Sequence, residues 1–226
     1  MRRDQSIGEI SDGHFYTAKD MVKIGTGGCR GCSECCELGP VIVLDPYDIW
    51  QLQSGVGLRF EEILDQTVEL TVIDGVVLPI LKLIGADEET PGVCPYLDEM
   101  GRCSIHEFRP GICRLYPLGR YWQEDDFRYI LQVGECLRSN GSKVKIRSWI
   151  GILGLERYEE FCRQWHALLT KIRNVGDREG ADSPVVRASC LTLLQTFYFE
   201  PWDAEQEFYP QFEERLVRCR HALGWA

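Results

Sequence analysis

Basic charge is in short supply: 25 lysines and arginines stand against 35 aspartates and glutamates, for a formal net charge of −10. A phosphate backbone needs a basic face, and the basic residues here are scattered, so no nucleic-acid partner is expected. Long apolar runs are missing as well. The most apolar stretch, Leu70 to Ile84, is interrupted by Asp74, Gly75, Pro79 and Lys82, which excludes it as a membrane span. The opening Met-Arg-Arg-Asp-Gln-Ser leads into no continuous apolar segment. No signal peptide, no membrane partner and a cytoplasmic location are therefore expected. Histidine is scarce, and His14, His106, His166 and His221 form no close metal-binding pair. No serine-centred nucleophile elbow, phosphate loop or dinucleotide-type glycine pattern is present, nor any internal repeat or low-complexity tract.

Cysteine is what the chain has in quantity, eleven in all. Cys29 to Cys36 reads Cys-Arg-Gly-Cys-Ser-Glu-Cys-Cys, with Gly25, Gly27, Gly28 and Gly31 allowing the backbone to bend tightly and approach an ion closely. Thiolates at this spacing suit zinc or iron–sulfur chemistry, because a turn of that length aims neighbouring sulfurs at one centre. Cys94, Cys103, Cys113 and Cys136 supply four more candidate ligands. A secreted disulfide framework is the bland alternative. Such frameworks belong to short chains, whereas this one has 226 residues, 44% of them hydrophobic, and can bury a core.

Eight candidate thiolates leave the number of centres open. Cys29, Cys32 and Cys35 follow the C-x2-C-x2-C part of a ferredoxin-type run, and Cys94-Pro95 offers the Cys-Pro that such a run otherwise carries itself. In extended backbone, Cys35 and Cys36 would point to opposite faces, which divides them between two centres or leaves one spare unless the loop coils sharply. His106, three residues after Cys103, is either a zinc ligand or a residue bonded to nearby backbone. Arg102, Arg109, Arg114 and Arg120 either offset thiolate charge or pair with Glu99, Glu107, Glu124, Asp125 and Asp126. Cys162, Cys190 and Cys219 fall in amphipathic stretches and read as core packing with apolar neighbours.

The fold class expected is α+β: mainly helical, with a small antiparallel sheet and a cysteine-rich metal-binding loop region. Asp45-Pro46-Tyr47-Asp48 opens a helix, with Asp45 as cap and Gly55 and Gly57 at its end. A second helix is expected over Arg59 to Asp65. Val68 to Ile84 forms a hairpin about Asp74-Gly75, and residues 127–133 add a third strand to that sheet. Ser104 to Glu107 has capping-box spacing and predicts a short helix. After Cys136 the pattern is helical, with an amphipathic stretch over 146–172, a loop over 176–183, and helices opened by Pro184 and Pro210. Asp45 and Asp48 also read as paired carboxylates, although capping accounts for both. The expected organisation is a lead-in over 1–24, a metal- or cluster-binding domain over 25–140, and a helical layer over 141–226.

Three motifs together resemble the CxxCxxCC family, also called YkgJ-type and described as zinc- or iron-chelating. They are the string Cys29 to Cys36, the stretch Cys94-Pro95-Tyr96-Leu97-Asp98 with Gly101 to Glu107, and Arg109-Pro110-Gly111-Ile112-Cys113-Arg114-Leu115-Tyr116-Pro117. Asp45 to Ile49 is similar to the family's segment after its first cysteines. The resemblance covers about residues 25–140 and implies Cys29, Cys32, Cys35, Cys36, Cys94, Cys103 and Cys113 as metal-binding residues, with Cys136 as an eighth. The family includes flagellin lysine N-methylases, in which an iron–sulfur cluster is implicated. The expected function is binding of an iron–sulfur cluster of the [4Fe–4S] kind, with redox-linked chemistry. The alternatives are a structural zinc domain presenting a surface to a protein partner, with zinc as the only metal or at a second site, and a cluster-assisted lysine N-methylase-like enzyme.

Overall fold

The computed structural model describes residues 7–24, 33–37, 41–87, 89–134, 136 and 141–225. Its strands form two-stranded antiparallel ribbons rather than one sheet. Helix α1 (Ile7–Ile10) and strand β1 (Met21–Lys23) come first, and α2 (Glu34–Glu37) carries the Cys35-Cys36 pair. The early segment is tied to later chain: Val22 and Ile24 are buried, and Tyr16 bridges to Tyr129.

Helix α3 (Pro46–Val56) forms for the reason its sequence suggests. The Asp45 side chain accepts from the Asp48 N–H at 2.9 Å, and the Asp48 side chain accepts from the Asp45 N–H at 3.1 Å, with Pro46 in the first turn. Gly57, at φ 74°, closes the helix in the left-handed region. Gly55 does not end it. That residue lies inside the helix, where the Phe108 ring fills the space a Cβ would need. Helix α4 (Phe60–Gln66) buries Phe60 and Ile63.

β2 (Val68–Ile73) and β3 (Val76–Leu81) make the expected hairpin, turning through Asp74 and Gly75 at φ 48° and 81°. The apolar run before α3 lies along the other edge of β3, with Leu44 N donating to Pro79 O at 2.9 Å and Leu81 N to Ile42 O at 3.0 Å. A single 3₁₀ turn, His106–Phe108, replaces the helix expected from Ser104. The Ser104 hydroxyl does not cap it but donates to the Tyr96 carbonyl at 3.0 Å. Helix α5 (Gly111–Leu115) leads into β4 (Leu118–Gln123), which pairs with β5 (Asp126–Leu131). The strand expected near 127–133 therefore exists, but its partner is β4 and not the hairpin at 68–81. β6 (Lys143–Lys145) pairs with β1.

Gly151 and Gly154, both at φ 66°, split the amphipathic stretch into α6 (Ile146–Ile150) and α7 (Leu155–Glu179). α7 buries Leu155, Tyr158, Phe161, Cys162, Trp165, Leu168, Leu169, Ile172 and Val175, a face at helical spacing. It runs through Gly176 to Glu179, so the loop is shorter than expected. α8 (Pro184–Leu194) is capped by Ser183, passes into a π-type turn over Gln195–Phe199, and is followed by α9 (Phe208–Ala222), which starts before Pro210. Phe161, Phe197, Phe208 and Phe212 interlock here, with Phe161 and Phe212 edge-on at 4.7 Å between centroids. Each buried ring of this kind contributes roughly 1.5–3 kcal/mol of transfer free energy. The class is α+β, mainly helical. Among the described residues, no helix is long and apolar enough to cross a membrane.

One histidine on α7 is held neutral. His166 stacks on Trp122 at 3.7 Å, and burial, then the Arg173 cation, lower its pKa from an ordinary 6.5 to about 4. With the folded value depressed, the contribution is complete above pH 6.5 and is lost as pH falls toward 4. A ring-proton NMR titration should show a midpoint near 4, and a midpoint near 6.5 would mean that the stack does not form.

Candidate metal centre

Ser33, at φ 61°, turns the chain into α2, and the Cys36 N–H closes back on the Ser33 carbonyl at 2.6 Å. The loop thus coils where extended backbone would have parted the two thiols. The Cys35 and Cys36 sulfurs lie 4.0 Å apart on one short helical turn. The second cysteine block comes to this turn through the backbone, since Cys94 N donates to Cys36 O at 2.9 Å. Cys94 itself is held where Ile84 and Val93 pair, and Cys103 sits opposite Leu97 in another antiparallel bridge. The tight loop between them is fixed by Asp98, whose Oδ1 accepts from the Met100 and Arg102 N–H groups at 2.9 and 2.8 Å.

The electrostatics tie these sulfurs together. Hydrogen bonding between the Cys36 sulfur and those of Cys35 and Cys94 brings Cys35 and Cys94 down to about 7 and drives Cys36 itself strongly upward. A metal ion that binds these sulfurs displaces their protons. Cys113, on α5, is pushed up first by burial, then by the Asp48 carboxylate and by the Cys94, Cys103 and Cys35 sulfurs. Cys35, Cys36, Cys94, Cys103 and Cys113 thus act on one another. Cys136 is half-buried, with residues 135 and 137–140 outside the described chain. Cys29 and Cys32 also lie outside the described residues, and with them the expectation that Cys32 shares a centre with the second block.

Residues 28–136 match the family model CxxCxxCC, "Putative zinc- or iron-chelating domain". The chain carries a CxxCxxCC domain. No curated protein and no solved structure matches it. The CxxCxxCC match spans all eight candidate cysteines and leaves α6 to α9 beyond its end.

The donor chemistry of the CxxCxxCC domain fits a thiophilic metal. Cys35, Cys36, Cys94 and Cys113 are unbridged thiols, and two of them are poised near neutrality, the form a metal requires. Among the described residues no three His, Cys, Asp or Glu side chains close to ligating geometry. His106 is turned to Arg109, with which it hydrogen-bonds. Arg114 donates to the carbonyls of Glu107 and Arg109.

Beneath the sulfurs of the CxxCxxCC domain lies a polar layer that the sequence pattern does not announce. The Asp48 side chain, 2% exposed, accepts from the Gly111 N–H at 2.7 Å, in addition to closing the cap of α3. Arg120 Nη2 donates to the Tyr158 hydroxyl at 3.2 Å, and Tyr158 bonds to Cys162 one turn along α7. Cys162 consequently does not have purely apolar neighbours. It is buried against Tyr158 and Arg120, and burial pushes its thiol up to about 12. Arg120 is turned inward, where it stabilises the charged forms of Asp45 and Asp48, which burial otherwise disfavours. Only the long-range pairing reveals these roles, because Asp48 and Gly111 are 63 residues apart.

Proposed function

We propose that the CxxCxxCC domain holds an iron–sulfur cluster of the [4Fe–4S] kind and uses it in redox-linked chemistry. Cys29, Cys32, Cys35, Cys36, Cys94, Cys103 and Cys113 are the donor set from which its ligands come, with Cys136 as an eighth. The supporting observation is the number of thiols that act on one another across the two blocks. Cys35, Cys94, Cys103 and Asp48 all raise Cys113, while Cys36 is bonded to Cys35 and Cys94. That makes five sulfurs before Cys29 and Cys32 are counted, enough for the four thiolates that a [4Fe–4S] cluster takes. A tetrahedral zinc also takes four, and the ferredoxin-type spacing of Cys29, Cys32 and Cys35 favours the cluster.

When bound, the cluster supplies one-electron transfer. The chain's own residues do the holding. α2 sets Cys35 and Cys36 side by side, the Cys36 carbonyl fixes Cys94, and β2 and β3 support the segment from which Cys94 leaves. Within this reading residues 25–140 form the cluster-binding unit and 141–226 a helical layer, and a reducing compartment such as the cytoplasm keeps the thiols available.

The test is the visible spectrum of protein purified without oxygen. A broad absorption in the visible range, bleached by a strong reductant, is the expected outcome. Colourless protein carrying stoichiometric zinc would overturn the cluster and make the domain a structural zinc module whose surface serves a protein partner.

A further inference from the structure

Helix α5 is five residues long, too short to hold a position by its own hydrogen bonds, yet it carries Cys113. Its first residue, Gly111, has one of the amide donors that a helix start leaves without an internal partner. Asp48 Oδ1 takes that donor at 2.7 Å, while Asp48 Oδ2 takes the Asp45 N–H at 3.1 Å, so one buried carboxylate joins the start of α3 to the start of α5. Gly111 is pressed into place from the opposite side. A Cβ there would lie 1.9 Å from the Tyr158 hydroxyl oxygen. The preceding turn is gripped by the same helix, since the Phe108 ring packs where a Cβ of Gly55 would be. α3 therefore holds the segment that delivers Cys113 at two points, and neither point is a cysteine.

We infer that Asp48 is a positioning residue for the metal centre: its carboxylate sets the start of α5 and thereby places Cys113 against the sulfurs of Cys35 and Cys94. This rests on the reading of the domain as a thiolate metal site, whichever metal it takes. Residues that orient ligands without touching the metal typically change its affinity about 10–100-fold when removed. A charge-assisted bond to a backbone amide is among the stronger ones available for such a task.

The experiment titrates anaerobic, metal-free protein with cobalt(II), reading the thiolate-to-cobalt charge-transfer band and the affinity by competition with a chelator. The Asp48→Ala variant is expected to bind cobalt at least tenfold more weakly than the parent protein, with a weaker charge-transfer band. Asp48→Asn keeps an oxygen that can accept from Gly111 and should recover most of the band. Asp45→Ala removes the cap of α3 but leaves the Gly111 contact, so it should lower the melting temperature and spare the cobalt spectrum.

Should Asp48→Ala not fold, Gly111→Ala moves the same contact from the other side. It should weaken cobalt binding in the same way, and adding Tyr158→Phe, which removes the clashing oxygen, should restore part of it. Folded Asp48→Ala or Gly111→Ala protein with the parent's cobalt affinity and band would overturn the positioning role. So would Asp45→Ala weakening cobalt as much as Asp48→Ala does, because helix stability alone would then explain the effect. Parent protein that takes up no cobalt would sink the metal-site reading itself, a separate and recognisable result.

Discussion

Serine in place of Cys94 is expected to take the metal content of the purified protein from near stoichiometric to near zero. Cys94 stands at the junction of the two cysteine blocks. Its N–H bonds to the Cys36 carbonyl at 2.9 Å, and its sulfur is hydrogen-bonded to that of Cys36, which also meets the Cys35 sulfur. The thiol is brought down to about 7 by that hydrogen bond, so a large share is thiolate at neutral pH. A serine hydroxyl at the same place stays protonated and offers a hard, weak donor to a metal that prefers sulfur. The backbone bond to Cys36 survives the change, so the fold around the site should persist. Cys190→Ser and Cys219→Ser serve as controls, since both thiols are buried in the helical layer, in α8 and α9. They should leave metal content unchanged. Elemental analysis of the three variants checks this, and Cys94→Ser protein with the parent's metal content would remove Cys94 from the site.

Arg215→Ala should cost about 4 kcal/mol of stability, the sum of stranded carbonyls and a lost ring contact. Arg215 lies on the buried face of α9, 4% exposed. Its Nη1 donates to Thr196 O at 2.9 Å and Glu200 O at 2.8 Å, and Nη2 donates to Pro201 O at 2.7 Å. These are the carbonyls at and after the π-type turn, where the ordinary helical ladder has ended and no backbone N–H follows in register. The guanidinium also lies 3.7 Å from the centroid of the Trp202 ring. Alanine leaves these partly buried acceptors without their arginine donor, at roughly 1 kcal/mol each. Lysine keeps the charge but lacks the planar fork that serves several carbonyls at once, so Arg215→Lys should recover only part of the loss. Urea unfolding of the three proteins measures this. A loss below about 1 kcal/mol for Arg215→Ala would show that solvent replaces the arginine.

The same residue marks where sequence reading stops. Phe208, Phe212, Leu216 and Cys219 announce the apolar face of α9, and Arg215 sits among them without any local sign that carbonyls of another turn await it. Elements with a local cause were legible. Asp45 with Pro46 implies α3, and Asp74-Gly75 between β-rich runs implies the first hairpin. Elements whose cause is distant were not. β4, Leu-Gly-Arg-Tyr-Trp-Gln, has no clean alternation, because Arg120 turns inward to Tyr158 and the strand is defined by its partner β5. β1 and β6 are three residues each and exist through one another. Ser104 has the spacing of a capping box, but Tyr96 takes its hydroxyl.

At the metal site the same division holds. The cysteines of both blocks were visible as donors by spacing and type. Their meeting was not, because it depends on Ser33 coiling the chain at Cys35-Cys36 and on the Cys36 carbonyl reaching Cys94. Asp48 had a sufficient local explanation as part of a helix cap, which concealed its second bond to Gly111. A buried carboxylate with two oxygens has room for both tasks, and only the folded chain shows the second.

The most direct measurement is iron and acid-labile sulfide per chain in protein purified under anaerobic conditions. The account predicts about four of each. One or two zinc ions per chain with no sulfide would contradict it.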